Sequence, residues 1–179
     1  MKSMILNQHQ VALHKEGKLS MVLVKMKPQP EQSGENIWLN AAPYTIGQEV
    51  MIREDWKEVF SIGVILYRAD VSEEDDFLYS YISWKSSATM PTDFAIRSFV
   101  PTGCKAIRLR DLTEEDCKGM INVLDGWDDE IYYRDYSFNY PIPAKNPLYS
   151  YQSYYESLHG SGSWAANQDV WFWAYEIKG

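Results

Sequence analysis

The amino-acid sequence predicts an α+β protein in which a small, partly closed β-barrel is flanked by helices. Many short apolar runs are separated by turn residues, which is typical of strands, and only two segments carry helix-start signals. Apolar residues make up 45% of the chain and aromatic residues 15%, which is enough for a packed core. With 179 residues, one elaborated domain over residues 1–179 is expected.

The first helix is predicted over Gln8–Glu16. Asn7 precedes it and can accept a hydrogen bond from a backbone N–H of the first turn. Val11 and Leu13 are its expected buried positions. Gly17 follows, and glycine is the residue that most often ends a helix.

The strands are predicted from their apolar runs. Leu19–Met26 is apolar on both faces, and Pro28 and Pro30 end it because proline lacks the N–H that a ladder requires. Val59–Tyr67 is the most apolar strand, and Gly63 within it marks a bulge or a close approach. Further strands are expected at Met4–Leu6, Ile37–Leu39, Glu49–Glu54, Leu78–Trp84, Phe94–Val100, Cys104–Leu109 and Val170–Ile177.

A second helix is predicted from Asp111 to about Gly126. Thr113 and Asp116 have the spacing of a capping box, and acidic residues favour the positive end of a helix. The charged segment Asp70–Asp76 is expected to be a loop. The closing strand has large aromatic residues on one face, namely Trp171, Trp173 and Tyr175.

Residues 131–164 form a long tyrosine-rich insertion with eight of the thirteen tyrosines and no helical or strand period. The segment is too aromatic for a flexible tail, so an ordered loop is predicted. Mixtures of Tyr and Ser offer a large contact area at low entropic cost, which favours a docking surface. A strand pair or a lid on the barrel is the alternative. The candidate partner-binding residues are Tyr132, Tyr133, Tyr149, Tyr151, Tyr154 and Tyr155.

The negative charge lies in the C-terminal part of the chain. Residues 1–110 contain 13 Lys/Arg and 13 Asp/Glu, whereas residues 111–179 contain 4 and 12, which accounts for the whole net charge of −8. A negative chain lacks the phosphate-neutralising attraction that dominates non-specific binding to nucleic acid. Tight, sequence-independent DNA binding is therefore disfavoured, while a local basic patch on the neutral part stays open.

The remaining composition predicts a reduced, cytoplasmic protein. Cys104 and Cys117 have no metal-like spacing, and the three histidines are scattered, so neither a metal site nor another cofactor is predicted. No apolar run is long enough for a membrane span, and the N-terminus lacks a secretion signal. No membrane partner is expected, and the oligomeric state stays open.

Six motifs occur in an order that resembles a known family. They are the helix followed by Gly17, K-P-Q-P at Lys27–Pro30, G-x5-R-E-x-W from Gly47 to Trp56, Y-R-A-D at Tyr67–Asp70, W-K-S-S from Trp84 with M-P at Met90–Pro91, and L-T-E-E-D at Leu112–Asp116 followed by Asn167, Val170-Trp171 and Glu176. Together they resemble the ASCH family of PUA-like domains, in the form common in phage genomes. The resemblance implies a β-barrel with a cleft that binds RNA-related ligands and, in some members, cleaves acylated nucleosides or RNA.

The catalytic pattern of that family is not retained. Without gaps, its lysine and threonine positions fall on Leu19 and Val22, and its helix glutamate falls on Met120. Leucine, valine and methionine supply neither a base nor a nucleophile. No catalytic residue is therefore predicted.

The candidate ligand-binding residues combine cations, hydroxyl and acid groups and indole rings. Cations could bind phosphate and indole rings could stack on a base, whereas strand-edge solubility and core packing are the alternatives. Glu54 is either a surviving acid or part of a structural ion pair. The candidates are Lys18, Ser20, Lys25, Arg53, Glu54, Trp56, Trp84 and Lys85.

Three functions follow from these patterns. The preferred one is a non-catalytic ASCH-type protein of phage or prophage origin that binds RNA or a modified nucleoside in the barrel cleft. The second is an acidic interaction protein that docks on and inhibits a host defence protein. The third is a residual nucleoside amidohydrolase or ribonuclease.

Overall fold

The computed structural model describes residues 2–30, 41–59, 63–125 and 130–178. Over these ranges the protein is α+β, with ten strands and five α-helices. The strands are β1 (Ser3–Ile5), β2 (Met21–Lys25), β3 (Val50–Arg53), β4 (Trp56–Val59), β5 (Val64–Tyr67), β6 (Arg97–Arg108), β7 (Val123–Asp125), β8 (Ile131–Asp135), β9 (Ile142–Ala144) and β10 (Trp171–Lys178). The helices are α1 (Gln8–Lys15), α2 (Glu73–Leu78), α3 (Glu114–Lys118), α4 (Pro147–His159) and α5 (Ser163–Ala166).

The central sheet has the strand order β1-β3-β6-β10-β2. β1 and β3 are parallel, and the other neighbours are antiparallel. Two smaller sheets accompany it, the hairpin β4–β5 and the three-stranded β7–β8–β9. The predicted barrel is corrected in one respect: no sheet in the described ranges closes, so β1 and β2 stay edge strands. Residues 31–40, with the predicted strand Ile37–Leu39, lie outside those ranges.

The first helix and its caps confirm the prediction. The Asn7 side chain accepts from the Gln10 N–H, and the Gln10 side chain accepts from the Asn7 N–H, which completes a capping box. Val11 and Leu13 are buried. Gly17 follows with a φ of 67°, in the left-handed region that glycine tolerates best.

The central sheet buries side chains on both faces. One face carries a core that includes Val22, Ile52, Phe99, Trp173 and Tyr175. Alternation along β10 puts Trp171, Trp173 and Tyr175 on this face, as predicted, and turns Phe172 and Ala174 to the other face. The second core contains Met21, Ile107, Leu109, Phe172 and Ala174, and α3 and α4 cover it.

Two strand predictions around residues 59–84 are wrong. Val59–Tyr67 is not one strand: Val59 ends β4, pairs with Val64 in β5, and Gly63 with a φ of 67° stands at the turn. The segment 70–84 contains helix α2 where a loop and then a strand were expected. The missed signal is Ser72, whose hydroxyl accepts from the Asp75 N–H at 3.0 Å and caps that helix.

Two further predictions fail because pairing outweighs local signals. The predicted strands Phe94–Val100 and Cys104–Leu109 fall on one strand, β6 (Arg97–Arg108). Its pairing with β10 continues past Pro101, which lies opposite Ile177, through a one-residue register shift. The Thr113–Asp116 capping box is confirmed, but the helix ends at Lys118. The residues that follow then form β7, which pairs with β8.

The tyrosine-rich segment 131–164 is not a long loop. It forms β8 and β9, and then helix α4, which starts where the Asn146 side chain accepts from the Tyr149 N–H at 2.9 Å. Pro147 occupies the first turn, where its missing N–H costs nothing. The tyrosines at positions 151, 154 and 155 have helical spacing and are buried in the second core. Asn7 and Tyr154 hydrogen-bond through their side chains at 2.7 and 2.9 Å.

This packing predicts different costs for two tyrosines of the same helix. Tyr154→Ala should lower the free energy of unfolding by about 3–5 kcal/mol, because it leaves a cavity in the core and removes the partner of Asn7. Tyr149 is 47% exposed. Tyr149→Ala should cost about 1 kcal/mol, because it removes a half-exposed ring and one hydrogen bond to Asp135 but leaves no cavity in the core. Urea unfolding followed by circular dichroism measures both, and equal costs would contradict the assignment of Tyr154 to the core.

Candidate functional site

A cavity of about 390 Å³ lies between the two edge strands of the central sheet. Both β1 and β2 line it, so the sheet curves until its edges face each other. Its described lining residues are Ser3, Met4, Ile5, Leu6, Gln10, Val22, Leu23, Val24, Lys25, Tyr44 and Arg53. The volume falls in the range of small-molecule sites, roughly 300–1,000 Å³.

Two cations from different strands reach this cavity. Lys25 ends β2, is exposed, and has no ion-pair partner within the described ranges. Arg53 ends β3, and its Nη1 donates to the carbonyls of Ala88 at 3.3 Å and Met90 at 3.4 Å. The Arg53 Nε is buried and has no partner among the described residues. Because no described lining residue is a carboxylate, the cavity favours an anionic ligand.

Tyr44 is the aromatic residue of the described lining. Its hydroxyl donates to the Ser3 carbonyl at 3.0 Å, and its ring packs edge-on against Tyr175 with centroids 5.5 Å apart. Burial raises the pKa of Tyr44, so the hydroxyl stays protonated near neutral pH. Sequence reasoning missed Tyr44 and Gln10, because their places beside β1 and β2 depend on chain pairing that no local pattern encodes.

The positions at which the resemblance to ASCH domains predicts catalytic groups hold apolar residues that do not lie at one place in the structure. Val22 lines the cavity and is almost fully buried. Leu19 belongs to the first core and Met120 to the second, so these two positions lie on opposite faces of the sheet. In this chain the lysine, threonine and glutamate positions therefore do not converge on one site.

Lys18 and Ser20 lie away from the described cavity lining. Lys18 is exposed, and its Nζ forms an ion pair with Glu16 at 2.8 Å. The Ser20 N–H donates to the Gly119 carbonyl at 3.0 Å. A Cβ on Gly119 would stand 1.9 Å from the Ser20 Oγ, so glycine is what permits this approach. Ser20 therefore holds the α3 end against the sheet.

Glu54 is part of a buried charge network next to the cavity, although it is not one of the described lining residues. Its side chain pairs with Arg97, which also binds Asp70, and the Lys15 Nζ approaches Asp70 at 2.7 Å. The Glu54 Oε2 is buried without a partner in the described part of the chain. Burial raises the pKa of Glu54 above its ordinary value of 4.5, and Arg97 opposes this only in part. The arrangement links β3, β6 and α1.

The two predicted indole rings are already covered by cations. Trp56 is buried, packs edge-on against Phe94, and has the Lys85 Nζ 4.2 Å from its ring centroid. The Trp84 Nε1 donates to the Asp76 Oδ1 at 2.9 Å. Of the described residues, Lys57 and Arg68 stand over the Trp84 ring at 4.1 and 4.9 Å. Trp56, Trp84 and Lys85 thus form structural contacts outside the described cavity lining.

The predicted partner-binding tyrosines divide by exposure. Tyr149 is exposed and Tyr132 half-buried, whereas Tyr133, Tyr151, Tyr154 and Tyr155 are buried in the second core. A different part of the surface carries apolar groups. Phe77, Leu78 and Tyr81 are 78%, 64% and 72% exposed.

Two absences complete the description. Within residues 2–30, 41–59, 63–125 and 130–178, no three His, Cys, Asp or Glu side chains cluster as a metal site would require. Across the same ranges, no helix has the length and apolar character needed to cross a membrane.

Comparisons with family models, with curated proteins and with solved structures find no match for this chain.

The raised pKa of Glu54 predicts an unusual pH dependence of stability. The stabilisation from its bound proton is fully present below pH 4.5 and is lost as the pH rises through the higher folded pKa. The unfolding free energy of the wild type, relative to Glu54→Gln, should therefore fall as the pH rises above 4.5. Chemical denaturation across this pH range measures the difference.

Asp116 provides a control of opposite sign. Burial acts to raise the pKa of Asp116, but hydrogen bonds from Lys105 and Thr113 outweigh it and hold the pKa below 3.8. The wild type should therefore gain stability relative to Asp116→Asn as the pH rises from about 2 to 4. If the unfolding free energy of the wild type relative to Glu54→Gln also rose with pH, burial would not be the main influence on the pKa of Glu54.

Proposed function

We propose that this chain is a non-catalytic, ASCH-type binding protein of phage or prophage origin that holds RNA or a modified nucleoside in the cleft between β1 and β2. One observation carries the proposal. Lys25 and Arg53, on separate strands, reach one cavity together with Tyr44, and none of its described lining residues is acidic. Cations beside an aromatic ring suit a phosphate attached to a base.

The distribution of charge supports a small or single-stranded ligand. Every described lining residue lies between positions 3 and 53, in the part of the chain whose net charge is zero. The rest of the chain carries the net −8 and repels a long polyanion. A local cationic cleft on such a protein can neutralise a few phosphates, but not the length of a duplex.

The lining also supports binding without chemistry. Hydrolysis of an amide or a phosphodiester requires a base and a nucleophile within hydrogen-bond reach. The hydroxyls of the described lining belong to Ser3 and Tyr44, and the Tyr44 hydroxyl already donates to a backbone carbonyl. Val22 stands where the family has its threonine, and Glu54 is engaged with Arg97.

Nucleotide binding tests this proposal directly. The purified protein should bind nucleoside 5′-monophosphates and short single-stranded RNA, with affinity that falls as salt increases. Lys25→Ala should weaken binding about tenfold or more, because a charged hydrogen bond contributes about 1.5–3 kcal/mol. Isothermal titration calorimetry gives the affinities. Lys18→Ala, which removes an exposed cation elsewhere, should change them less than twofold.

Two outcomes would contradict the proposal. Equal losses in Lys25→Ala and Lys18→Ala would mean that only general surface charge attracts the ligand. Turnover of acylcytidines or single-stranded RNA in the same mixtures, abolished by Glu54→Ala, would favour a hydrolase instead.

The exposed residues of the α2 region favour a second candidate, an interaction protein. The Lys57 Nζ anchors this segment: it lies 2.8 Å from the Asp76 Oδ1 and donates to the Tyr79 carbonyl at 3.2 Å. The anchored segment directs Phe77 and Tyr81 outward beside exposed acids. Large apolar side chains on a fixed element with an acidic border suit a partner that has an apolar pocket and a basic rim.

This second candidate makes its own prediction. Tagged protein should retain a basic protein from bacterial lysate, and changing Phe77, Leu78 and Tyr81 together to serine should reduce its recovery at least tenfold, because such anchors dominate interface energy. Tyr140→Ser is the control, since Tyr140 is 63% exposed and lies elsewhere. If the triple serine variant recovers as much partner as the wild type, this surface is not the binding site. If the captured protein is acidic, charge complementarity does not explain the interaction.

A further inference from the structure

The side of β2 that faces the cavity carries main-chain groups that pair with no strand among the described residues. The Met26 N–H donates to the Trp171 carbonyl at 3.0 Å, and the Ile177 N–H donates to the Ser20 carbonyl at 2.9 Å. In an antiparallel ladder, hydrogen-bonded pairs alternate with pairs that do not bond. The even-numbered residues of β2 therefore bond to β10, and the N–H and C=O of Leu23 point away from it.

The opposite edge, β1, has the same property. The Lys2 carbonyl accepts from the Met51 N–H at 3.1 Å, and the Leu6 N–H donates to the Arg53 carbonyl at 3.2 Å. Even-numbered residues of β1 thus bond to β3, and the N–H and C=O of Ile5 point outward. Ile5 and Leu23 both line the cavity. No described strand pairs with either outward edge.

We propose that the cleft recognises the Watson–Crick edge of one unpaired base through the main-chain groups of Ile5 and Leu23. This inference rests on the proposed function and specifies its ligand. An outward-facing strand residue presents a donor and an acceptor side by side, and the Watson–Crick edge of a base presents the complementary pair. Lys25 and Arg53 then hold the phosphate, and Tyr44 offers a surface for stacking.

The observations favour a base over an extended peptide between the same two edges. Open strand edges are also the template for strand addition, which uses the same donors and acceptors. A peptide backbone, however, carries no negative charge to pair with Lys25 and Arg53, and the described lining residues include no acid. A site of about 390 Å³ also suits a single nucleotide better than a strand of several residues.

Main-chain recognition has a direct chemical consequence. A methyl group on the Watson–Crick edge blocks the contact, whereas a methyl group on another edge of the same base leaves it intact. A base within a duplex uses the same edge for pairing and is excluded. The cleft therefore selects free nucleotides and unpaired positions of RNA.

The experiment uses the full chain and defined nucleotides. Among AMP, CMP, GMP and UMP, the tightest binder is compared with ribose 5-phosphate, with its Watson–Crick-edge methyl derivative and with a derivative methylated on another edge. The affinity should fall at least tenfold for ribose 5-phosphate and for the Watson–Crick-edge methyl derivative. It should fall less than threefold for the derivative methylated on another edge. Leu23→Pro, which removes the outward N–H of an edge strand, should reproduce this loss, and Leu23→Ala should not.

Each result decides between the alternatives. If the nucleotide and ribose 5-phosphate bind equally, or if the two methyl derivatives bind equally, main-chain recognition of the base is wrong, although phosphate binding is retained. An extended peptide would then be the better candidate ligand for the open strand edges. Absence of binding by all four nucleotides would overturn the proposed function itself. Thermal unfolding establishes whether Leu23→Pro folds, and the methylated nucleotides decide the question if it does not.

Discussion

The pairing of β10 with both β6 and β2 is the constraint on which the rest of the structure depends. β10 has neighbours on both sides, and its side chains enter the two cores alternately, so neither its edges nor its faces are free. This fixes the register of the sheet: a shift by one residue would exchange Trp173 and Tyr175 with Phe172 and Ala174 between the cores. The curved sheet then ends in two edges that face each other, and the cleft is the space between them.

The acidic C-terminal part and the neutral N-terminal part of the chain contribute to different regions of the structure. The acidic C-terminal part supplies α3 and α4, and the tyrosines of α4 cover one face of the sheet, where Tyr154 hydrogen-bonds to Asn7 at the start of α1. The neutral N-terminal part supplies the edges and cations of the cleft. Excess negative charge thus lies mostly away from the proposed anion site. Repulsion of long polyanions and attraction of a small one are compatible within one chain.

The sequence predicted those features that depend on local signals. Capping residues identified α1 and the start of α3, and alternation identified the face of Trp173 in β10. It failed where distant pairing decides: Pro101 does not interrupt β6, because one extra residue of β6 between the pairs Gly103–Glu176 and Pro101–Ile177 lets the pairing with β10 continue. In 131–164 the tyrosine content concealed a helical spacing. Of eight predicted ligand residues, the described cavity lining contains Lys25 and Arg53, because convergence on a cleft is a property of the folded sheet.

Loss of reactive side chains from a cleft need not remove its capacity to discriminate. Val22 gives the cleft no side-chain hydrogen bond, but the outward main-chain groups of an edge strand are present whatever the side chain, and only proline removes the N–H. Buried polar groups reject ligands that leave them unpaired. A cleft with fewer reactive residues can therefore bind selectively without turning its ligand over.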